Sequence, residues 1–101
     1  MNKIKLPVPP KKLREFCQRW NVEEFSLFGS ILRDDFNPDS DVDVLVTFSP
    51  GAQVSLFDMV KMQMELKILF GRDVDLVEKA SLLNPYRRRE ILRTAQRVYG
   101  S

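Results

Sequence analysis

The chain has 101 residues, of which 44% are hydrophobic and 30% charged, with a formal net charge of +2. That composition fits one globular domain with a modest core and excludes a disordered chain. With no histidine and a single cysteine, Cys17, it also excludes Ser-His-Asp and Cys-His catalysis, His-ligated metals, structural zinc and an internal disulfide. The chemistry that remains must use carboxylates, hydroxyls, lysine, arginine and a hard metal. No apolar run approaches the length of a membrane span, and Met1-Asn2-Lys3-Ile4-Lys5 leads into prolines, so a cytoplasmic location is expected. A charge of +2 does not by itself argue for nucleic acid.

Residues 1–8 read as a loose arm. Leu13, Phe16, Cys17 and Trp20 recur at i, i+3, i+4, i+7, which predicts an amphipathic helix from Pro9-Pro10 to about Asn21. Lys11, Lys12, Arg14 and Arg19 form its solvated face. Phe25 to Phe28 is a short apolar run that breaks at Gly29, the first predicted strand. Gly29-Ser30 opens a short helix over Ile31 to Phe36, and Asn37-Pro38-Asp39-Ser40 is a loop. A glycine allows close approach of backbone to a ligand, and the N–H groups that start the next segment suit a phosphate.

Val42 to Phe48 predicts a second strand, beside the first. Side chains at i and i+2 of a strand share a face, so Asp41 and Asp43 project together while Val42, Val44 and Val46 enter the core. Two carboxylates aimed at one point repel each other, and the usual compensating cation is Mg²⁺, held by one or two carboxylates plus substrate phosphates.

Ser55 to Phe70 is the longest helical pattern, with Ser55 as N-cap, Asp58 in the first turn and Gly71 just past the end. Its apolar residues fall on two faces. Phe57, Val60, Met64 and Ile68 make one; Met59, Met62, Leu66, Leu69 and Phe70 make the other. One face is expected to meet the sheet. The other meets either a partner, with a second copy through helix 55–70 among the candidates, or the terminal helices. Val74 to Val77 predicts strand three. Asn84-Pro85 is an N-cap and N1 pair for a last helix over residues 85–99, with Ile91, Leu92, Ala95, Val98 and Tyr99 as its core stripe. Arg87, Arg88, Arg89, Arg93 and Arg97 form a basic surface, either solvated or turned to nucleotide phosphates, RNA or an acidic partner.

The run Phe28-Gly29-Ser30, ten residues, Asp41-Val42-Asp43, with Asp75 in a later strand, resembles the pattern of the nucleotidyltransferase superfamily in its minimal form, the MNT domain. The likeness covers residues 22–78. Where members often carry a glycine after the arginine that follows Gly-Ser, this chain has Asp34. The resemblance implies one domain over residues 1–101, with a small mixed α/β (α+β) sheet of the polymerase-β type and helices on one face. It implies two Mg²⁺ ions at Asp41, Asp43 and Asp75, and a triphosphate held by Gly29, Ser30 and Arg33. The acceptor hydroxyl would attack the α-phosphorus and displace pyrophosphate. MNT proteins of this size resemble the antitoxin half of toxin–antitoxin pairs whose partner is a helical HEPN ribonuclease. The function implied is transfer of AMP from ATP to a toxin tyrosine. Two other classes stay open: an antitoxin that neutralises by contact alone, and a small nucleic-acid-binding module, disfavoured because no aromatics interleave the arginines.

Overall fold

Val42 to Phe48 alternates apolar residues with Asp43 and Thr47, and Leu45 interrupts the alternation on the polar side. A strand with apolar residues on both faces is a central strand, and that is its place in the computed structural model, which describes residues 8–32 and 40–100. The elements in order are α1 (Pro10–Arg19), β1 (Val22–Phe28), a 3-10 turn (Gly29–Leu32), β2 (Val42–Phe48), α2 (Leu56–Phe70), β3 (Val74–Glu78), a second 3-10 turn (Lys79–Ser81), α3 (Pro85–Thr94) and β4 (Gln96–Tyr99). The sheet order is β3-β2-β1-β4. β1 pairs antiparallel with both β2 and β4, and β2 pairs parallel with β3. Parallel neighbours require a crossover, and α2 supplies it.

The main core lies between the sheet and two helices. Leu13, Phe16 and Cys17 of α1 and Met62, Leu66 and Phe70 of α2 close over Phe25, Leu27, Val42, Val44 and Val46. Phe25 is its centre: Phe16 meets it edge-on at 6.1 Å and Phe70 lies tilted at 6.5 Å. Glu65 of α2 ties α1 down, accepting from Arg19 Nη2 at 2.7 Å and from Trp20 Nε1 at 3.0 Å. Asn21, in the left-handed region at φ 58°, turns the chain from α1 into β1; asparagine tolerates that conformation better than most residues.

The caps read from the sequence form as expected. Ser55 Oγ accepts from Asp58 N and Asp58 Oδ2 accepts from Ser55 N, both at 3.1 Å, a reciprocal capping box. Asn84 Oδ1 accepts from the backbone N–H groups of Tyr86 and Arg87 at 3.0 and 3.1 Å. Gly71 ends α2 at φ 72°.

Two expectations change. The last helix does not run over 85–99: α3 ends at Thr94, and Gln96–Tyr99 is an edge strand. Thr94 Oγ1 donates back to the carbonyl of Glu90 at 3.0 Å, and Ala95 is already extended at ψ 140°. The open edge of β1 then captures the segment through pairs such as Ser26 with Arg97. The placement of helices on one face holds for α1 and α2. α3 lies against the other face, where Ile91 packs with Phe28, Leu45 and Leu82 in a second small cluster. The expected helix over Ile31 to Phe36 is represented by the 3-10 turn Gly29–Leu32; its remainder lies outside the described residues.

Candidate active site

The face of the sheet opposite α1 and α2 carries Asp43, because Val42 and Val44 on either side of it point into the main core. The parallel register of β2 and β3 sets Asp75 directly beside Asp43. Neighbouring strands lie about 4.8 Å apart, and residues in register share a face. The antiparallel register of β1 and β2 sets Phe28 beside Asp43 on the other side, so the chain reverses at Gly29 immediately above that carboxylate.

Gly29 is needed there for two reasons. Its φ is 73°, a region that side chains disfavour. A Cβ at this position would also overlap Asp43 Oδ2 and stand 3.0 Å from Asp43 Cγ. The glycine therefore makes room for a carboxylate rather than merely forming a turn.

Gly29, Asp43 and Asp75 line one cavity of about 640 Å³. Its opposite wall is α3 and the start of β4, contributing Arg87, Glu90, Arg93 and Gln96. Arg93 Nη2 reaches both carboxylate oxygens of Glu90 at 2.8 Å, and that contact pushes the guanidinium pKa up. Three carboxylates and two guanidiniums thus share one cleft, with Glu90 already paired to Arg93. The acids alone repel each other; a cation relieves that repulsion, and the arginines suit phosphate oxygens.

Asp41 is exposed, directly precedes β2, and lines a second cavity of about 490 Å³ with Ser40, Lys67, Arg72 and Asp73. Arg72 Nη1 donates to the carbonyl of Ser40 at 3.5 Å beside it. The register of β2 and β3 brings Asp75 next to Asp43, and Asp41 stands two residues before Asp43 in the chain. Among the described residues no group of three or more His, Cys, Asp or Glu side chains could hold a metal ion. The backbone of Ser30 belongs to the 3-10 turn; its side chain, and Arg33 altogether, lie outside the described residues. Of the polar residues that line the cavity, Glu90, Thr94 and Gln96 were not singled out from the sequence at all. Arg87 and Arg93 were visible only as members of a basic stripe, since nothing local in the sequence says which arginines turn inward.

With sheet, glycine turn and paired acids in place, the comparisons with known proteins define the class. The chain belongs to the nucleotidyltransferase domain family, whose family model matches residues 10–98, and it is a nucleotidyltransferase. Among individual relatives, it is 43% identical over 69 residues, 68% of each chain, to the protein adenylyltransferase MntA of Thermococcus cleftensis. It is 34% identical over 95 residues, 94% of each chain, to a Methanocaldococcus jannaschii protein provisionally named a protein adenylyltransferase. A solved structure provisionally named a minimal nucleotidyltransferase superposes with a TM-score of 0.69 at 32% identity, over 86% of each chain. Two more distant structures share the fold at 18% identity. One is a toxin–antitoxin with AMP-PNP, with TM-score 0.73 over 91% of this chain and 73% of that one. The other, from Shewanella oneidensis, is a tri-AMPylated HEPN toxin in complex with its MNT antitoxin, with TM-score 0.67 over 91% and 70%. Among the described residues, no helix is long and apolar enough to cross a membrane.

Proposed function

We propose that this chain transfers AMP from ATP to a hydroxyl of a partner protein, and that the partner is a HEPN-type ribonuclease toxin modified on a tyrosine. The observation that carries the reading is the placement of Asp43 beside Asp75 on parallel strands, beneath Gly29 and facing Arg87 and Arg93. That is a site for a polyphosphate and a divalent cation. The relatives named as protein adenylyltransferases supply the nucleotide and the class of acceptor.

The donor set fits Mg²⁺. Asp43 and Asp75 offer two hard carboxylate oxygen donors in one cavity, and the ion commonly completes its shell with phosphate oxygens and water. Asp41, two residues from Asp43, is the candidate third ligand on spacing alone. Bound there, Mg²⁺ would neutralise triphosphate charge and ease ionisation of the acceptor hydroxyl. The chain's own groups do the rest. Gly29 N–H and Ser30 hold the β- and γ-phosphates, Arg33 reaches a phosphate oxygen, and Arg87 and Arg93 offset charge from the α3 side. The acceptor oxygen attacks the α-phosphorus, the bond from that phosphorus to the bridging oxygen breaks, pyrophosphate leaves, and Asp75 takes the hydroxyl proton. Such catalysis rests on positioning and electrostatics, so few residues suffice. A cytoplasmic location follows from the proposed partner.

The test is labelled-AMP transfer from ATP to the toxin, with pyrophosphate release followed in parallel. Asp43→Asn and Asp75→Asn should each lower transfer by about 100-fold or more, while binding to the toxin persists. If both variants still protect cells from the toxin as well as the parent does, neutralisation is by contact and the enzymatic reading fails.

A further inference from the structure

The helix α2 exposes a continuous apolar stripe. Leu56, Phe57 and Ile68 are each more than 80% exposed, with Val60 and Met64 between them more than half exposed. The opposite side of the same helix, Met62, Leu66 and Phe70, is buried in the core. The five residues together expose roughly 700 Å², above the few hundred usual for a monomer and close to the ~800 Å² that each partner contributes to a standard interface.

We propose that this stripe is a two-fold interface between two copies of the chain. Three features select a second copy over another occupant. The stripe is symmetric about its own midpoint: Phe57 and Ile68 lie about equally far from residue 62, as do Val60 and Met64. Laid antiparallel across a two-fold axis, Phe57 meets Ile68 of the second copy and Val60 meets its Met64, so each large end covers a large end. An interface of this kind must be self-complementary in this way. The charge pattern agrees. Lys61 comes beside Glu65 of the second copy, a carboxylate whose contacts to Arg19 and Trp20 both use Oε2. Position agrees too. α2 covers the sheet face opposite the cavity of Asp43 and Asp75, so pairing through α2 leaves both cavities outward and open. An acceptor whose hydroxyl must enter that cavity does not need this surface.

The experiment is sedimentation equilibrium of the full chain alone from 1 to 200 µM, with Val60→Glu and Met64→Glu. The expected result is a dimer that either substitution weakens at least 50-fold. Helical circular dichroism and nucleotidyl transfer should be unchanged, since neither residue lines the cavity. In the Val60→Cys, Met64→Cys variant, mild oxidation should give a covalent dimer at dilute concentration. A chain that stays monomeric across the range overturns the proposal, as does a dimer indifferent to both substitutions. So does a monomer whose binding to the toxin is lost in Val60→Glu, which would give the stripe to that partner.

Discussion

Gly29 and Asp43 share one small volume, and their fit makes a sharp prediction. Gly29→Ala places a methyl group where Asp43 Oδ2 lies and forces a side chain into positive φ. The backbone term alone costs about 1–3 kcal/mol, and the carboxylate must also rotate away. Transfer should fall by 100-fold or more while circular dichroism still reports a folded protein. An alanine variant with near-normal kcat/KM would show that Asp43 need not point where it does. Cys17 gives a second residue-scale prediction. It is fully buried in the α1 face, and burial pushes its thiol pKa from 9.0 up to about 12. The group is raised in the fold, so its contribution is complete below pH 9 and is lost as pH rises from about 9 towards 12, at about 1.4 kcal/mol per unit. Urea midpoints should therefore decline above pH 9 and decline less in Cys17→Ala, which removes the titration at some cost in packing. In the native state at neutral pH, a thiol reagent should label the chain only at the rate of unfolding.

At the scale of elements, the helix caps decide how firmly the site's walls are held. Ser55 and Asp58 satisfy two otherwise unpaired N–H groups of α2, and Asn84 satisfies two of α3. Ser55→Ala and Asn84→Ala should each cost about 1 kcal/mol, or roughly 4–8 °C in Tm for a domain of this size. Their effects on transfer should differ. α2 packs on the face away from the cavity, whereas α3 carries Arg87 and Arg93 into it. Below the melting range, Asn84→Ala should raise KM for ATP several-fold and Ser55→Ala should leave it unchanged. The helix termini were legible because caps and Pro-Gly punctuation are local chemistry. The C-terminal strand was not. Ile91, Leu92, Ala95, Val98 and Tyr99 keep helical spacing, and what converts Gln96–Tyr99 to a strand is the open edge of β1, some seventy residues away. The two faces of α2 were legible as a pattern, whereas which of them meets the sheet had to be settled by packing: Met62, Leu66 and Phe70 go in, and Phe57, Val60, Met64 and Ile68 stay out.

For the whole molecule, the sheet order is what makes a site from scattered residues. The glycine turn, the acid at 43 and the acid at 75 could be named from spacing and resemblance, but their meeting depends on β2 lying between an antiparallel and a parallel neighbour. Asp41 and Asp43 were expected to converge because they alternate in sequence. The strand begins at Val42, so Asp41 sits just before it and lines a cavity with Lys67 and Arg72, and its pairing with Asp43 rests on the i, i+2 spacing. The inward turn of Arg87 and Arg93 was out of reach for the same reason as β4: it is fixed by how α3 docks on Phe28 and Leu45. Under the proposed function, this cavity moves AMP onto a protein. The most direct measurement is the intact mass of the HEPN-type toxin after incubation with the chain, ATP and Mg²⁺, beside an Asp43→Asn, Asp75→Asn control. The expected result is a gain of one or more AMP units on the toxin, absent in the control. An unchanged toxin mass, in a mixture where the two proteins still form a stable complex, would contradict it.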